Sequence, residues 1–343
     1  MCRFIYYLGP PTKLSTIISE PSHGLINQSL HSTCPGLTLN ADGFGVAWYN
    51  DFSAIPGVFK DITPAWSNIN LRQLAKSTKS SCIMAHVRAA SAGAIVNTNC
   101  HPFTFKNLSF MHNGTITYFS KLKRSILSML SDTAFEMIKG TTDSEVLFAL
   151  FITNYEKEIK YVQEQVKPSG AVYYSTHCQL EMEEKPYPPT GIDVLPKVLR
   201  ETIQQIHRLI LEFEIQQEIL PKDYQVESGA SMNHTHTCSK LNLAVTDGVN
   251  VVVSRYATGQ IENAHTLYWS RGTTIQCDSG HCKIGRSCEL SPMSLQYGQG
   301  NTIQHSLVIS SEPLAQDFKC EEVPINHMVI GNCHGGFSID AIN

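Results

Sequence analysis

The sequence lacks any uninterrupted apolar run near the roughly 18–20 residues of a membrane-spanning helix, so the chain is not expected to cross a bilayer. It also lacks a secretory signal. The opening MCRFIYYLGPPTK supplies about five apolar residues before Gly9-Pro10-Pro11 breaks the run, short of the roughly 7–15 of a signal h-region. Charge is scarce at 16% of residues, and a formal net charge of −4 gives no basic field for nucleic acid or an anionic membrane. The basic trio Lys121, Lys123 and Arg124 in SKLKRS reads as one solvated helix face. Paired CxxC knuckles, a GxxxxGK[ST] phosphate loop and internal repeats are all missing. The cysteines number eleven, an odd count that fits poorly with a complete disulfide framework. With no export signal they are expected to be free thiols in a reducing compartment, which makes the protein cytoplasmic. For the same reason the Asn113-Gly114-Thr115 sequon is not expected to carry a glycan.

What is present is globular. Of the 343 residues 42% are hydrophobic, enough to bury a large core. MCRFIYYLG and GFGVAWYN read as strands, because β-branched and aromatic residues dominate and glycine bounds them. SSCIMAHVRAAS is a further strand-length run, and NLSFMHNGTI ends in an Asn-Gly pair that predicts a tight turn. Helical spacing follows in YFSKLKRSILSMLSDTAFEMI, with Leu122, Ile126, Leu127 and Leu130 on one face. It continues in TTDSEVLFALFITNYEKEI, with Thr142 or Asp143 as N-cap and Glu145 in the first turn. From about 160 to 237 the chain turns polar and proline-bearing, an excursion that contains one amphipathic helix, LPKVLRETIQQIHRLILEFEIQQEIL. Strand signals resume at KLNLAVTDGVNVVVSRY, a hairpin about Thr246-Asp247-Gly248, and in TLYWSRG, HSLVISSEPL and NHMVIGN. Strands, then helices, then strands predict an α+β fold with largely antiparallel sheets.

Four short stretches have chemical potential. Cys2, once the initiator Met is removed, carries a thiol and a free α-amine on one residue. An α-amine titrates near 7.7–8.0, low enough to take the thiol proton at neutral pH. Arg88, at the end of an apolar strand, offers a guanidinium fork for a carboxylate, although a structural ion pair uses the same residue. His86 shares its strand face by period two and reads equally as a buried, hydrogen-bonded histidine. Asn113 and Gly114 pair an amide side chain with a glycine N–H, the makings of an oxyanion hole or of an ordinary hairpin turn. Asp143 at a helix start can accept from an ammonium or act as a cap.

Taken in order, Cys2, DGFGVAWY, HVRAAS, NCHPF, HNGTI and TTDSE resemble a class II glutamine amidotransferase domain of the N-terminal nucleophile superfamily, over roughly residues 2–155. The resemblance implies a four-layer α/β/β/α sandwich with antiparallel sheets, here a single domain over 2–343 with an insertion at about 160–237 and Met1 removed. It assigns the thioester-forming nucleophile to Cys2 and the oxyanion pair to Asn113 and Gly114. Substrate binding falls to Arg88 for the α-carboxylate and Asp143 for the α-amine, with His86 beside them. LNLAVTDGVNVVVSRY and LVISSEPL further resemble the stand-alone branch of the family, whose fungal type degrades glutathione with a metallopeptidase-like partner. The expectation is a γ-glutamyl amide hydrolase acting on glutathione or glutamine, without cofactor or metal.

Three alternatives stay open at this level. One is a glutaminase subunit that supplies ammonia to a separate synthetase. Another is an inactive binding subunit that uses the helix around 197–220. The third is a metal site built from Cys277, His281, Cys282 and Cys288, or from His234, His236 and Cys238, although neither set has zinc-knuckle spacing.

Overall fold

Successive side chains of the first strand, β1 (Arg3–Lys13), point into two different cores. Phe4, Tyr6 and Leu8 join one buried cluster while Ile5 and Tyr7 join another. The run FIYYL is apolar at every position because both faces of this strand are covered. The computed structural model describes residues 2–31, 39–90, 93–165, 186–187, 190–220, 238–259, 264–278, 281–286, 306–315 and 318–342.

After β1 come two short helices, α1 (Leu14–Ile18) and α2 (Leu25–Leu30), and a hairpin of β2 (Phe44–Asn50) and β3 (Ser53–Asp61). Helix α3 (Ile69–Ser77) is N-capped by Asn68, whose side chain accepts from the Leu71 amide, and it leads into β4 (Lys79–Val87). A loop with a 3₁₀ turn at Asn97–Asn99 precedes β5 (Phe103–Phe105) and β6 (Leu108–Thr115). Then come α4 (Phe119–Leu127), α5 (Asp132–Glu136), α6 (Asp143–Gln165) and α7 (Val194–Gln216). The remaining strands are β7 (Lys240–Thr246), β8 (Asn250–Arg255), β9 (Tyr268–Arg271), β10 (Thr273–Asp278), β11 (His281–Arg286), β12 (Leu307–Ser310), β13 (Glu321–Glu322), β14 (His327–Asn332) and β15 (Phe337–Ala341).

Among the described residues these strands form two large antiparallel sheets. One runs β13-β9-β12-β1-β4-β2-β3, the other β15-β14-β8-β7-β6-β5, and β10-β11 is a separate ribbon. The two sheets face each other across Phe4, Tyr6, Met84, Met111, Ala244 and Val253. Helices α1, α2 and α3 cover the outside of the first sheet through Leu14, Ile17, Leu25 and Leu71. Helices α4 to α7 cover the outside of the second through Leu122, Phe148, Phe151, Ile203 and Ile206. The result is the expected four-layer α/β/β/α sandwich.

Three local readings change. The Asn113-Gly114 pair makes no turn; it lies inside β6, opposite Asn242 and Leu241 of β7. Pairing with β7 supplies the ladder that an isolated Asn-Gly dipeptide would close on itself, so tertiary pairing overrides the turn propensity. The single helix expected over YFSKLKRSILSMLSDTAFEMI is two, because Ser131 caps a new start by accepting from the Ala134 amide. Helix α7 is no surface excursion. Leu195, Val198, Leu199, Ile203, Ile206 and Ile210 are all buried in the core beneath the second sheet. Much of the rest of the excursion, 166–185, 188–189 and 221–237, lies outside the described residues.

Candidate active site

Cys2 stands just before β1, which lies between β4 and β12 in the middle of the first sheet. Both neighbours run antiparallel, with Arg3 opposite Val87 and Ile5 opposite Ser310. That register brings the end of β4 and the segment after β12 to the start of the chain. The half-buried thiol accepts from the Ala89 amide at 3.4 Å, and its Sγ lies 3.5 Å from the Ala89 carbonyl. Burial pushes the Cys2 thiol above its ordinary range, while the Ala89 N–H, the chain-terminal amine, Arg88 and Arg3 pull it back in that order. The net rise leaves a protonated thiol at rest, so its use as a nucleophile requires a base.

Arg88 follows β4 directly and is almost wholly buried, its Nη1 donating to the Ala94 carbonyl at 3.1 Å. The same carbonyl accepts from Asn99 Nδ2 at 2.9 Å. Asn99 Nδ2 also reaches Thr141 Oγ1 at 3.3 Å, and Asn99 Oδ1 accepts from the Thr141 amide at 2.9 Å. Asn99 thereby ties the arginine loop to the start of α6, where Asp143 stands. Asp143 is not the cap. Thr142 Oγ1 accepts from the Glu145 amide, and Glu145 accepts from the Lys139 and Gly140 amides. Asp143 Oδ2 accepts from the Ile116 amide at 2.9 Å and Oδ1 from the Ser144 amide at 2.8 Å. Both carboxylate oxygens are thus oriented by backbone donors.

Ile116 follows β6, the strand that bears His112, Asn113 and Gly114. His112 Nδ1 meets Ser144 Oγ at 2.9 Å and Nε2 donates to the Lys240 carbonyl at 3.0 Å, fixing its tautomer when neutral. Asn113 Nδ2 donates to Ser311 Oγ at 3.5 Å, and that hydroxyl also accepts from the Phe4 amide at 3.0 Å. The Asn113 amide is therefore one hydroxyl away from β1, the strand that follows Cys2. Asn113 Oδ1 and Asn242 Oδ1 are buried without hydrogen-bond partners among the described residues. At position 114 a Cβ would collide with the Lys240 carbonyl, so only glycine lets β7 approach this closely.

The structure thus joins Cys2, Arg88, Asp143 and Asn113 in one closed circuit of hydrogen bonds and short chain segments. His86 takes no part in it. Its ring is fully buried and tilted over His101 with centroids 4.2 Å apart, and burial, reinforced by the Arg88 charge, holds it at about 3. The circuit also contains Ala89, Ala94, Asn99 and Ser311, which sequence reading did not single out. Asn99 lies next to the NCHPF cysteine and Ser311 within HSLVISSEPL, but nothing local marks either as a site residue. The metal-ligand candidates Cys277, His281, Cys282, Cys288, His234 and His236 fall outside the described side chains. Among the described residues no cluster of His, Cys, Asp or Glu is arranged to hold a metal ion, and no helix is long and apolar enough to cross a membrane.

Residues 28–178 match the profile of the family described as glutamine amidotransferases class-II. Over 322 residues the chain is 35% identical to the probable glutamine amidotransferase DUG3 of Saccharomyces cerevisiae, covering 92% of this chain and 76% of the yeast protein. It is 33% identical over 119 residues to a gamma-glutamyl-hercynylcysteine sulfoxide hydrolase of Mycobacterium tuberculosis, spanning 34% of this chain and 50% of that one. A glutamine aminotransferase class-II domain protein from Silicibacter pomeroyi has the same fold, with a TM-score of 0.53 at 20% identity over the full length of both chains.

Proposed function

Since the chain belongs to the class II glutamine amidotransferases, we propose that it hydrolyses a γ-glutamyl amide with Cys2 as nucleophile. The observation that carries this reading is the circuit linking Cys2, Arg88, Asn113 and Asp143. Three groups with complementary chemistry, drawn from separated parts of the chain, are tied by that circuit to one thiol.

Removal of Met1 frees the α-amine of Cys2, which takes the thiol proton. Arg88 receives the substrate α-carboxylate and Asp143 its α-ammonium, which sets the γ-carbonyl over Sγ. The sulfur attacks, the carbonyl π electrons move to oxygen, and Asn113 Nδ2 with the Gly114 N–H stabilise the oxyanion. Collapse breaks the C–N bond, and the departing amine takes the proton from the α-ammonium of Cys2. Water then cleaves the thioester to glutamate and restores the thiol.

The substrate we propose is glutathione, split into glutamate and cysteinylglycine in the cytoplasm alongside a metallopeptidase-like partner. Support for a γ-glutamyl substrate comes from one relative named as a probable glutamine amidotransferase and another named as a gamma-glutamyl-hercynylcysteine sulfoxide hydrolase. The second name specifies a sulfur-containing γ-glutamyl compound, as glutathione is. The test is glutamate release from glutathione and from glutamine, alone and after pull-down with native partners, with Cys2→Ala as control and intact mass to verify loss of Met1. Cys2-dependent release from glutathione supports the reading. Release from glutamine alone makes the protein an ammonia donor, and full activity in Cys2→Ala overturns the mechanism.

A further inference from the structure

Directly after the nucleophile stands Arg3, a guanidinium only 1% exposed. Its Nε donates to Glu312 Oε1 at 2.5 Å, and Glu312 is itself 1% exposed. Its Nη1 donates to the Cys2 carbonyl at 2.8 Å. The other carboxylate oxygen, Glu312 Oε2, meets His23 Nε2 at 2.7 Å. The Glu312 backbone is clamped as well, its carbonyl accepting from Ser310 Oγ at 2.6 Å and from Gln28 Nε2 at 3.4 Å. Gln28 Nε2 also donates to the His23 carbonyl at 2.9 Å. Arg3 on β1 and His23 ahead of α2 meet the buried carboxylate, while Gln28 on α2 and Ser310 at the end of β12 hold the backbone of the same residue.

A buried ion pair of this kind is a weak source of stability. Desolvation of both charges offsets their attraction, and apolar replacements of similar volume are often neutral or stabilising. The fold therefore gains little from the charges as such. Their distinctive geometric consequence is the grip on the Cys2 carbonyl. That carbonyl belongs to the residue from which both the thiol and, once Met1 is removed, the α-amine project.

We propose that Arg3 and Glu312 are positioning residues for the nucleophile: Arg3 holds the Cys2 backbone, and Glu312, shared with His23, holds Arg3. The inference rests on the reading of Cys2 as nucleophile and adds the device that aims it. Without the pair, Sγ and the amine lose their common anchor while Arg88 and Asp143 continue to hold substrate. The loss then falls on turnover and spares binding. The Arg3 charge also contributes to lowering the thiol, behind Ala89, the terminal amine and Arg88.

The test compares the full-length wild type with Glu312→Gln and with the apolar double variant Arg3→Met, Glu312→Leu. The readouts are thermal melting, kcat and KM for γ-glutamyl substrates, and the rate of iodoacetamide alkylation at the Cys2 peptide by mass spectrometry. The double variant is expected to melt close to wild type, with kcat lower by about 10²-fold, KM little changed and alkylation slowed. A double variant that melts like wild type and keeps wild-type kcat overturns the proposal and leaves the pair purely structural. Should it fail to fold, Glu312→Gln decides by the same division between kcat and KM. If the wild type hydrolyses no γ-glutamyl compound, the functional reading has failed; unchanged alkylation in the variants would overturn the positioning role separately.

Discussion

Replacing Asn113 by alanine should separate activity from stability. The side chain is 1% exposed, but it is poorly anchored for a buried amide. Its Nδ2 reaches Ser311 Oγ at 3.5 Å, the outer limit of a hydrogen bond, and its Oδ1 has no partner among the described residues. An unsatisfied buried acceptor costs about 1–3 kcal/mol, so truncation relieves a penalty that offsets the packing lost with three heavy atoms. The net change in folding free energy is expected to stay within about 1 kcal/mol. Removal of one oxyanion donor, by contrast, costs about 10²–10³ in kcat, or about 2.7–4 kcal/mol of transition-state stabilisation. KM should move little, because the amide meets charge that develops only in the transition state. Urea unfolding, set beside glutamate release from glutathione and glutamine, measures both quantities on one preparation. A variant with kcat within about threefold of wild type refutes the oxyanion assignment. Loss of activity matched by loss of folding would instead make Asn113 a structural residue.

Gly114→Ala should behave in the opposite way, lowering stability together with activity. The new methyl collides with the Lys240 backbone carbonyl, which cannot move without disturbing the β6–β7 ladder, and overpacking of this kind costs about 1–3 kcal/mol. A thermal melt unchanged from wild type would contradict that expectation. Acid should weaken the fold early. Burial holds His86 and His265 at about 3 and His207 at about 4, all below the ordinary 6.5. Above pH 6.5 these imidazoles are neutral in both states. Below it the unfolded chain binds protons that the folded one refuses, so stability falls progressively toward pH 4. For His207 the gap of 6.5 − 4 = 2.5 units corresponds to about 3 kcal/mol, and His207→Gln should flatten the profile by about that amount. Urea unfolding at pH 7, 6, 5 and 4.5 checks it, and a flat profile from 6.5 to 5 refutes the neutral-histidine account.

Much of the architecture was readable residue by residue. The apolar runs FIYYL, GFGVAWYN and CIMAHV announced β1, β2 and β4 because a strand covered on both faces must be apolar throughout. The Asp247-Gly248 turn between LNLAV and VVV fixed the β7–β8 hairpin locally. Helix α6 was legible from its cap and apolar content, although the choice between Thr142 and Asp143 as cap was not. Helices α1 and α2 went unread, since five and six residues are too few to display a helical period. The split of α4 from α5 was hidden because Ser131 is unremarkable until its side chain is seen to accept from Ala134.

By itself the sequence determined the chemistry on offer: a cysteine at the second position, an arginine after a strand, an Asn-Gly pair and an aspartate opening a helix. Each is a local fact of residue type and spacing. Only the tertiary structure decided that the Asn-Gly pair is strand and not turn, that Asn99 joins the arginine loop to Asp143, and that Ser311 and Glu312 return to the start of the chain. Those contacts link residues up to 309 positions apart, and Arg3 finds Glu312 only because β12 pairs beside β1. Strand and helix periods are written over a few residues, whereas a site is closed by sheet register, which depends on every strand between its parts.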